Sequence, residues 1–256
     1  MANLALGRTD RFEVRSMLNG KKVLALIPAR GGSKRLPRKN ILSICGKPLI
    51  VWTIEASLSC NYIDKTIVST DDKEIKDISL TSGAEVVDRP SDLSGDEVPT
   101  VPVVEHTLSI IKENYTYLIL LQPTTPLRTK RHIDEAFQTL IKTNADAVIS
   151  VCESEHNPLW ANRLPVDGNL KNFRREDIRD VRSQDLPKYH RINGAIYICE
   201  VSRLLRESSF YIKDNIFSYI MDKTCSVDID DQFDFLIAET LMKNLERNTN
   251  PVGKSN

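Results

Sequence analysis

The feature that most constrains this chain is a regular alternation of short apolar runs with segments of helical periodicity. Strand-like apolar runs occupy residues 23–29, 65–70, 84–87, 117–122, 145–151 and 195–199. Helical patterns occupy residues 48–59, 72–81, 99–112, 130–142 and 231–245. Parallel strands need crossover helices to connect them, so this alternation predicts a three-layer α/β/α sandwich around a mostly parallel sheet.

The alternation stops at residues 153–190, which are polar, contain prolines and include a charged run at 174–182. We therefore predict one main domain, made of residues 21–152 and 191–247, with 153–190 as an excursion from it. Residues 1–20 form an N-terminal extension without an assigned role, and 248–256 form a frayed tail. The extension has only a short apolar run, too short for a signal peptide or a membrane span, which predicts a cytoplasmic protein.

Charge and cysteine content narrow the function. Lys and Arg total 35, as do Asp and Glu, so the formal net charge is zero. No long-range field then attracts nucleic acid or an anionic membrane, and we predict neither as a partner. The 5 cysteines are scattered without zinc-site spacing. Any binding of anions must come from a local cluster of cations.

Such a cluster follows the first predicted strand. The loop at 30–40, RGGSKRLPRKN, contains five cations, two glycines and a serine. Glycines let backbone N–H groups approach phosphate oxygens, and cations neutralise charge during phosphoryl transfer. The loop is neither a Walker A sequence nor the G-x-G-x-x-G of a dinucleotide fold. It indicates a polyphosphate site of another kind.

Successive motifs of the chain resemble those of the acylneuraminate cytidylyltransferases, the CMP-sialic acid synthetases, a family that includes CMP-legionaminic and CMP-pseudaminic acid synthetases. In chain order these motifs are LIPARGGSKRLPRKN, GKPLIVWTIEA, IVSTDD, VVDRPSDLSGDEVPT, LLQPTTPLRT, RSQDLP, RINGAIYI and SVDIDDQFDF. The resemblance spans roughly residues 23–241 and implies a Rossmann-like nucleotidyltransferase domain with a dimerisation excursion, hence a homodimer. Arg35 departs from the pattern, because many relatives have glycine there.

The resemblance also implies how CTP is bound. The triphosphate would be held by Arg30, Ser33, Lys34 and Lys39, with Asn40 nearby. Arg89 and Thr100 match positions associated with cytosine and ribose. We expect Arg30, Lys34 and Asp228 to be catalytic, with Lys34 stabilising the charge on the α-phosphate and on the leaving pyrophosphate.

A second group of residues suits an acidic sugar with an N-acyl group. Two prolines stiffen the turn that follows Gln122, which fixes the direction of this side chain. Guanidinium and amide groups match a carboxylate and an acyl group. By resemblance, the sugar site is lined by Gln122, Arg182, Asn193, Tyr197, Phe210 and Tyr211.

The segment 226–231, SVDIDD, carries the carboxylates. In a strand, residues two apart face the same side, so Asp228 and Asp230 would converge while Val227 and Ile229 face the core. Two carboxylates beside a triphosphate indicate a Mg²⁺ site, with Mn²⁺ as a substitute. Asp231 is interpreted as the cap of the next helix.

These expectations converge on transfer of CMP from CTP to the anomeric hydroxyl of a nine-carbon 2-keto acid such as N-acetylneuraminic acid. Legionaminic and pseudaminic acid remain open as acceptors, because Trp160 stands where some sialic-acid enzymes have a cation. A catalytically silent nucleotide-binding regulator is the alternative of another class.

Overall fold

A computed structural model describes residues 18–171, 173–178 and 180–249. The strands are β1 (Val23–Pro28), β2 (Ser43–Ile44), β3 (Lys47–Pro48), β4 (Lys65–Thr70), β5 (Glu85–Asp88), β6 (Tyr117–Leu120), β7 (Ala147–Glu153), β8 (His190–Glu200) and β9 (Ile216–Ile220). The helices are α1 (Leu49–Leu58), α2 (Lys73–Thr81), α3 (Thr100–Ile110), α4 (Lys130–Thr143), α5 (Val201–Glu207) and α6 (Gln232–Thr249).

Seven of these strands form one sheet in the order β5-β4-β1-β6-β8-β7-β9. All its pairings are parallel except those of β8, which runs antiparallel to both β6 and β7. The mostly parallel sheet predicted from the alternation is confirmed. The loops that carry the predicted site follow the carboxyl ends of β1, β4, β5 and β6, where ligands bind in open α/β sheets.

Helices cover both faces of this sheet. Alternate side chains of β1 enter different clusters, as the pleat requires: Val23, Ala25 and Ile27 pack with α1, α2 and α4. Leu24 and Leu26 face the opposite side, where α3 and α5 pack. The predicted three-layer α/β/α arrangement is therefore also confirmed.

A third and smaller apolar cluster lies beside the site. It joins Leu36 of the cationic loop to Leu127, to Ile229 and to Ala238 and Met242 of α6. The side chains of Leu36 and Ile229 are buried. This cluster anchors the cationic loop and the aspartate segment to the same helix.

The structure differs from the predicted elements in several places. Helix α5 and strand β9 were not predicted, and α6 continues to Thr249, two residues into the predicted tail. The excursion contains only short 3-10 turns among its described residues, and its two ends belong to β7 and β8. Residues 1–17 and 250–256 lie outside the described residues, although Leu18 packs into the main core. No helix among the described residues is long and apolar enough to span a membrane.

Candidate active site

The cationic loop borders a pocket of about 400 Å³ at the carboxyl end of β1. The pocket is lined by predicted nucleotide-binding side chains and by two carboxylates: Arg30, Ser33, Lys34, Arg35, Leu36, Lys39, Asp96 and Asp230. Four cations outnumber the two carboxylates of this lining, so the pocket keeps a local excess of positive charge in a chain of zero net charge. The structure thus brings the predicted triphosphate residues together.

Asp96 pairs with the two cations expected to be catalytic. Its Oδ1 lies 2.5 Å from Arg30 Nη2, and its Oδ2 lies 2.5 Å from Lys34 Nζ. The hydrogen bond from Lys34 is the main cause that lowers the pKa of Asp96 below its ordinary value. Sequence reasoning included Asp96 in a family motif but gave it no role, since nothing in the sequence brings residue 96 to residues 30 and 34.

Two aspartates after β4 shape the cationic loop from behind. Asp71 Oδ1 accepts a hydrogen bond of 3.0 Å from the backbone N–H of Gly31. A side chain at Gly31 would place its Cβ 2.7 Å from Asp72 Oδ2, so the close approach requires glycine. The same Asp72 oxygen accepts from Arg38 Nη1 at 3.0 Å, and Asp72 also caps α2. The IVSTDD motif therefore supports the loop.

Asn40 and Arg89 also stabilise backbone near the pocket. The Asn40 side chain is buried and donates to the carbonyl of Arg30 at 3.0 Å, which places it behind the loop. Arg89 is buried too, and it donates to the Ser69 hydroxyl through Nε at 3.1 Å and to the Ser69 carbonyl through Nη2. Burial is the main cause that lowers the pKa of Arg89, and the nearby Arg30 adds to the shift.

The aspartate segment forms no strand, which corrects the predicted geometry. Residues 226–230 carry no strand pairing, and the backbone N–H of Ile229 instead donates to Thr124 at 2.8 Å. The alternation holds in part: Ile229 is fully buried in the third cluster, whereas Val227 packs against that cluster and also lines the pocket that Asp228 and Asp230 border. Hydrogen bonding to the QPTTP turn, in place of a neighbouring strand, fixes this extended segment.

The two aspartates have different environments. Burial raises the pKa of Asp228, and the nearby charge of Asp230 raises it further. Asp230 is half-exposed and pairs with Arg35 at 3.1 Å and with Lys39 at 3.5 Å. Lys39 Nζ also donates to the carbonyl of Ile229 at 2.6 Å, which links the segment to the cationic loop. Asp231 caps α6 by accepting from the backbone N–H of Phe233 at 2.8 Å, as interpreted from the sequence.

The predicted sugar-binding aromatics lie at a separate pocket of about 290 Å³. Tyr197 and Phe210 have ring centroids 5.7 Å apart, and Tyr197 and Tyr211 are 6.4 Å apart. Gln122 lines the same pocket, as does Thr100 at the start of α3. The structure thus groups Thr100 with the predicted sugar residues, at a different pocket from the cationic loop.

Gly194 joins this pocket to the aspartate pair. Its φ is +74°, and a Cβ added there would lie 2.6 Å from Gln122 Oε1 and 3.0 Å from Asp228 Oδ2. Both side chains therefore converge on one bare backbone position. Sequence reasoning assigned no role to Gly194; the available signal was a glycine directly before the predicted strand at 195–199.

Two of the predicted sugar residues are not brought to this pocket. The Asn193 amide is 1% exposed, and it accepts from Ser150 Oγ at 2.6 Å and donates to Ser226 Oγ at 2.9 Å. Its amide is thus buried and hydrogen-bonded in the interior, away from the aromatic pocket. Arg182 is exposed on the excursion and, among the described residues, its side chain has no hydrogen bond or ion pair to the other predicted site residues.

Comparison with known proteins places this site in a family context. A family model described as Cytidylyltransferase matches residues 24–245. The N-acylneuraminate cytidylyltransferase of Escherichia coli O18:K1:H7 is 38% identical over 229 residues, which cover 88% of this chain and 53% of that protein. The chain therefore spans about half the length of this relative.

A second relative is similar to the chain over nearly its whole length. The CMP-N,N'-diacetyllegionaminic acid synthase of Legionella pneumophila is 33% identical over 226 residues, which cover 87% of this chain and 97% of that protein. A solved structure of CMP:2-keto-3-deoxy-manno-octonic acid synthetase complexed with CTP has a TM-score of 0.65 at 18% identity, covering 88% of this chain and 99% of that one. The latter likeness concerns the fold.

Proposed function

Because the chain belongs to the cytidylyltransferase family, we propose that it transfers CMP from CTP to the anomeric hydroxyl of a nine-carbon 2-keto acid sugar and releases pyrophosphate. One observation carries the proposal. Asp230 lines the cationic pocket, Gln122 lines the aromatic pocket, and the side chains of Gln122 and Asp228 meet at Gly194, so the aspartate pair links the two pockets. A triphosphate and a sugar hydroxyl bound in these pockets would meet at Asp228.

In this proposal the reaction is an in-line displacement at the α-phosphorus. The cations Arg30 and Lys34 offset the charge on the phosphates and on the leaving pyrophosphate, and Gln122 with the aromatic pocket orients the sugar. Positioning and electrostatic stabilisation supply most of the rate in such transfers. Asp228, whose carboxylate lies beside Gly194 and Gln122, is the candidate to accept the proton of the attacking hydroxyl.

We also propose that Asp228 and Asp230 hold Mg²⁺, or Mn²⁺ in its place. Among the described residues no group of three or more His, Cys, Asp or Glu side chains could hold a metal ion. Two carboxylates fit Mg²⁺ nevertheless, because this ion keeps water and substrate phosphates as its other ligands. A cation would also offset the charge of Asp228, which is half-buried and is affected by the charge of Asp230. When bound, the ion withdraws negative charge from the phosphates.

The acceptor is proposed as an acid of the sialic type, with legionaminic and pseudaminic acid as alternatives for the same reaction. A silent nucleotide-binding regulator is disfavoured because Lys34, Asp228 and Asp230 are all present at contiguous pockets. We propose in addition that the protein is a homodimer through residues 153–190, which would let Arg182 of one subunit approach the site of the other.

Pyrophosphate release tests the proposal directly. We expect release from CTP and Mg²⁺ with one of sialic, legionaminic or pseudaminic acid, offered separately. Asp230→Asn should lower turnover by about a hundredfold, since loss of metal-assisted charge stabilisation is worth several kcal/mol and about 1.4 kcal/mol is tenfold. Glu105→Gln, which neutralises an exposed carboxylate on α3, should leave turnover unchanged. Silence of folded, CTP-binding wild-type protein with all three acids would favour the regulator.

A further inference from the structure

Arg128 is a buried arginine without a carboxylate partner. It is 1% exposed, and among the described residues it forms no ion pair. Its Nη1 atom contacts three oxygens, but its Nε and Nη2 atoms are buried without a hydrogen-bond partner. Burial lowers the pKa of this guanidinium below its usual range. Burying an unpaired charge usually costs several kcal/mol, so an apolar side chain would fill this space at lower cost.

The oxygens that Arg128 contacts belong to two different parts of the sheet. Nη1 donates to the carbonyl of Gln122 at 3.1 Å and to Thr125 Oγ1 at 3.0 Å, both in the turn after β6. It donates as well to the carbonyl of Ala195 in β8 at 3.1 Å. One guanidinium nitrogen therefore links the backbone next to the Gln122 side chain with the backbone next to Gly194.

The link falls where the sheet itself provides none. Strand β6 ends at Leu120, which pairs with Tyr197, so the ladder between β6 and β8 stops before Ala195. On the other edge of β8 the register with β7 shifts between Ile149 and Val151, which leaves residues 193–196 as a bulge. Bulges disrupt ladder hydrogen bonds and are common next to active sites, where they direct a residue into the site.

Side chains replace the missing ladder bonds of this bulge. Ser150 Oγ accepts from the backbone N–H of Ile196 at 2.8 Å, and Asn193 Oδ1 accepts from the backbone N–H of Ala195 at 3.2 Å. Arg128 supplies the donor for the Ala195 carbonyl. Ser150 and Asn193 act within β7 and β8, whereas Arg128 is the group that ties the bulge to the Gln122 turn.

We infer that Arg128 is a positioning residue for the sugar half of the site, fixing the Gln122 turn against the 193–196 bulge so that Gln122 and Asp228 converge at Gly194. This inference rests on the proposed function. In the part of the chain that the structure describes, Arg128 hydrogen-bonds to neither the Gln122 nor the Asp228 side chain; it acts through two carbonyl groups and the Thr125 hydroxyl. The cationic loop is held by other groups, Asp71, Asp72 and Asn40. Loss of Arg128 should therefore weaken the binding of the sugar more than the binding of the nucleotide.

The test compares Arg128→Met and Arg128→Lys with Arg131→Met, a control that removes an exposed arginine three residues later. Calorimetry measures the Kd for CTP without turnover, and pyrophosphate release measures the KM for the active acid. We expect Arg128→Met to raise the sugar KM at least about tenfold with the CTP Kd changed less than about twofold, and Arg128→Lys to lie between it and wild type. Arg131→Met should match wild type in both.

Amide hydrogen exchange in residues 120–125 and 193–197 provides a readout that does not need turnover. We expect faster exchange there in Arg128→Met, and a smaller increase in Arg128→Lys, than in Arg131→Met. Should Arg128→Met fail to fold, Arg128→Lys carries both comparisons. The inference would be overturned if Arg128→Met weakened the binding of sugar and of CTP equally. It would also be overturned if a folded variant kept the wild-type amide exchange and the wild-type sugar KM. An inactive wild type with the expected exchange pattern would instead refute the proposed function and leave the positioning role standing.

Discussion

Single residues at this site are constrained by what they touch across the fold. Gly194 shows this most clearly, because two side chains of the candidate site, from distant parts of the sequence, lie in the space of its absent Cβ. A left-handed backbone conformation costs a residue with a Cβ roughly 1–2 kcal/mol, and here a steric conflict is added to that cost. The conflict falls on the contact between the proposed sugar and metal residues.

We therefore expect Gly194→Ala to lower kcat/KM by about a hundredfold or more, because Gln122 and Asp228 must move apart. Gly168→Ala is the matched control: its φ is +70°, but no atom lies within 4 Å of an added Cβ. Both variants have the cost of a left-handed backbone at a residue with a Cβ. Steady-state kinetics and thermal unfolding of the two variants therefore distinguish this backbone strain from the steric conflict with Gln122 and Asp228. Equal activity in the two variants would show that the convergence at Gly194 is not needed.

The sequence indicated some of these residues and not others for a physical reason. Arg30, Ser33, Lys34 and Lys39 are close along the chain, so a local pattern was enough to predict that they act together. Asp96 and Gly194 acquire their positions only from tertiary packing. The fold places strands that are far apart in sequence side by side. Only this arrangement brings Asp96 to the cationic loop and brings the side chains of Gln122 and Asp228 to Gly194.

Elements were predictable where their periodicity was strong. Strand β4 has its predicted bounds, and helices α1 to α4 begin and end within two residues of theirs, whereas α6 extends four residues past its predicted end. Strand β9 was missed because it lies at the sheet edge, with Phe217 and Ile220 exposed, so its residues do not alternate cleanly. The 226–230 segment has the alternating pattern of a strand, yet the backbone N–H of Ile229 donates to Thr124 in a turn and not to a neighbouring strand. Alternation in the sequence indicates which side chains are buried, but it does not indicate whether the segment pairs with another strand.

Helix α4 carries a cap that titrates. His132 is buried, and its Nδ1 atom accepts from the backbone N–H of Thr129 at 3.1 Å. Burial, and then the charge of Arg131, lowers the pKa of His132 below 6.5. As pH falls through the unfolded pKa of about 6.5, the unfolded chain gains a proton that the folded chain does not bind, so the free energy of unfolding decreases.

We expect the free energy of unfolding of wild type to fall by about 1 kcal/mol more than that of His132→Gln between pH 7.5 and 5.5. Glutamine retains an acceptor and does not titrate. Urea denaturation at both pH values measures the difference, with His156→Gln as a control at an exposed histidine. Parallel pH dependence in wild type and His132→Gln would contradict the assignment of this cap.

At the scale of the whole molecule, the excursion differs from the rest of the chain. Its described residues have little regular structure and expose several large apolar side chains, Trp160, Leu164, Val166 and Leu170. Apolar groups collected on one projecting segment are typical of a surface that another chain covers. The proposed homodimer would bury them.

Substitution of Leu164, which is 69% exposed, tests this arrangement. We expect wild type to sediment as a dimer and Leu164→Asp to raise the dimer Kd at least about tenfold, since burying a leucine contributes about 1.5–3 kcal/mol. Leu80→Asp, at a 50% exposed leucine on α2, should leave the sedimentation unchanged. A monomeric wild type at micromolar concentration would rule out the dimer.

The carboxylate between Arg30 and Lys34 has a consequence for how the protein responds to ionic strength. With Asp96 in place, one of these two positive charges is already offset, so the pair attracts fewer small anions from the surrounding salt than two free cations would. A polyphosphate that displaces Asp96 then releases fewer small anions on binding. Its affinity should therefore decline with added salt less steeply than the number of cations in the pocket alone would predict.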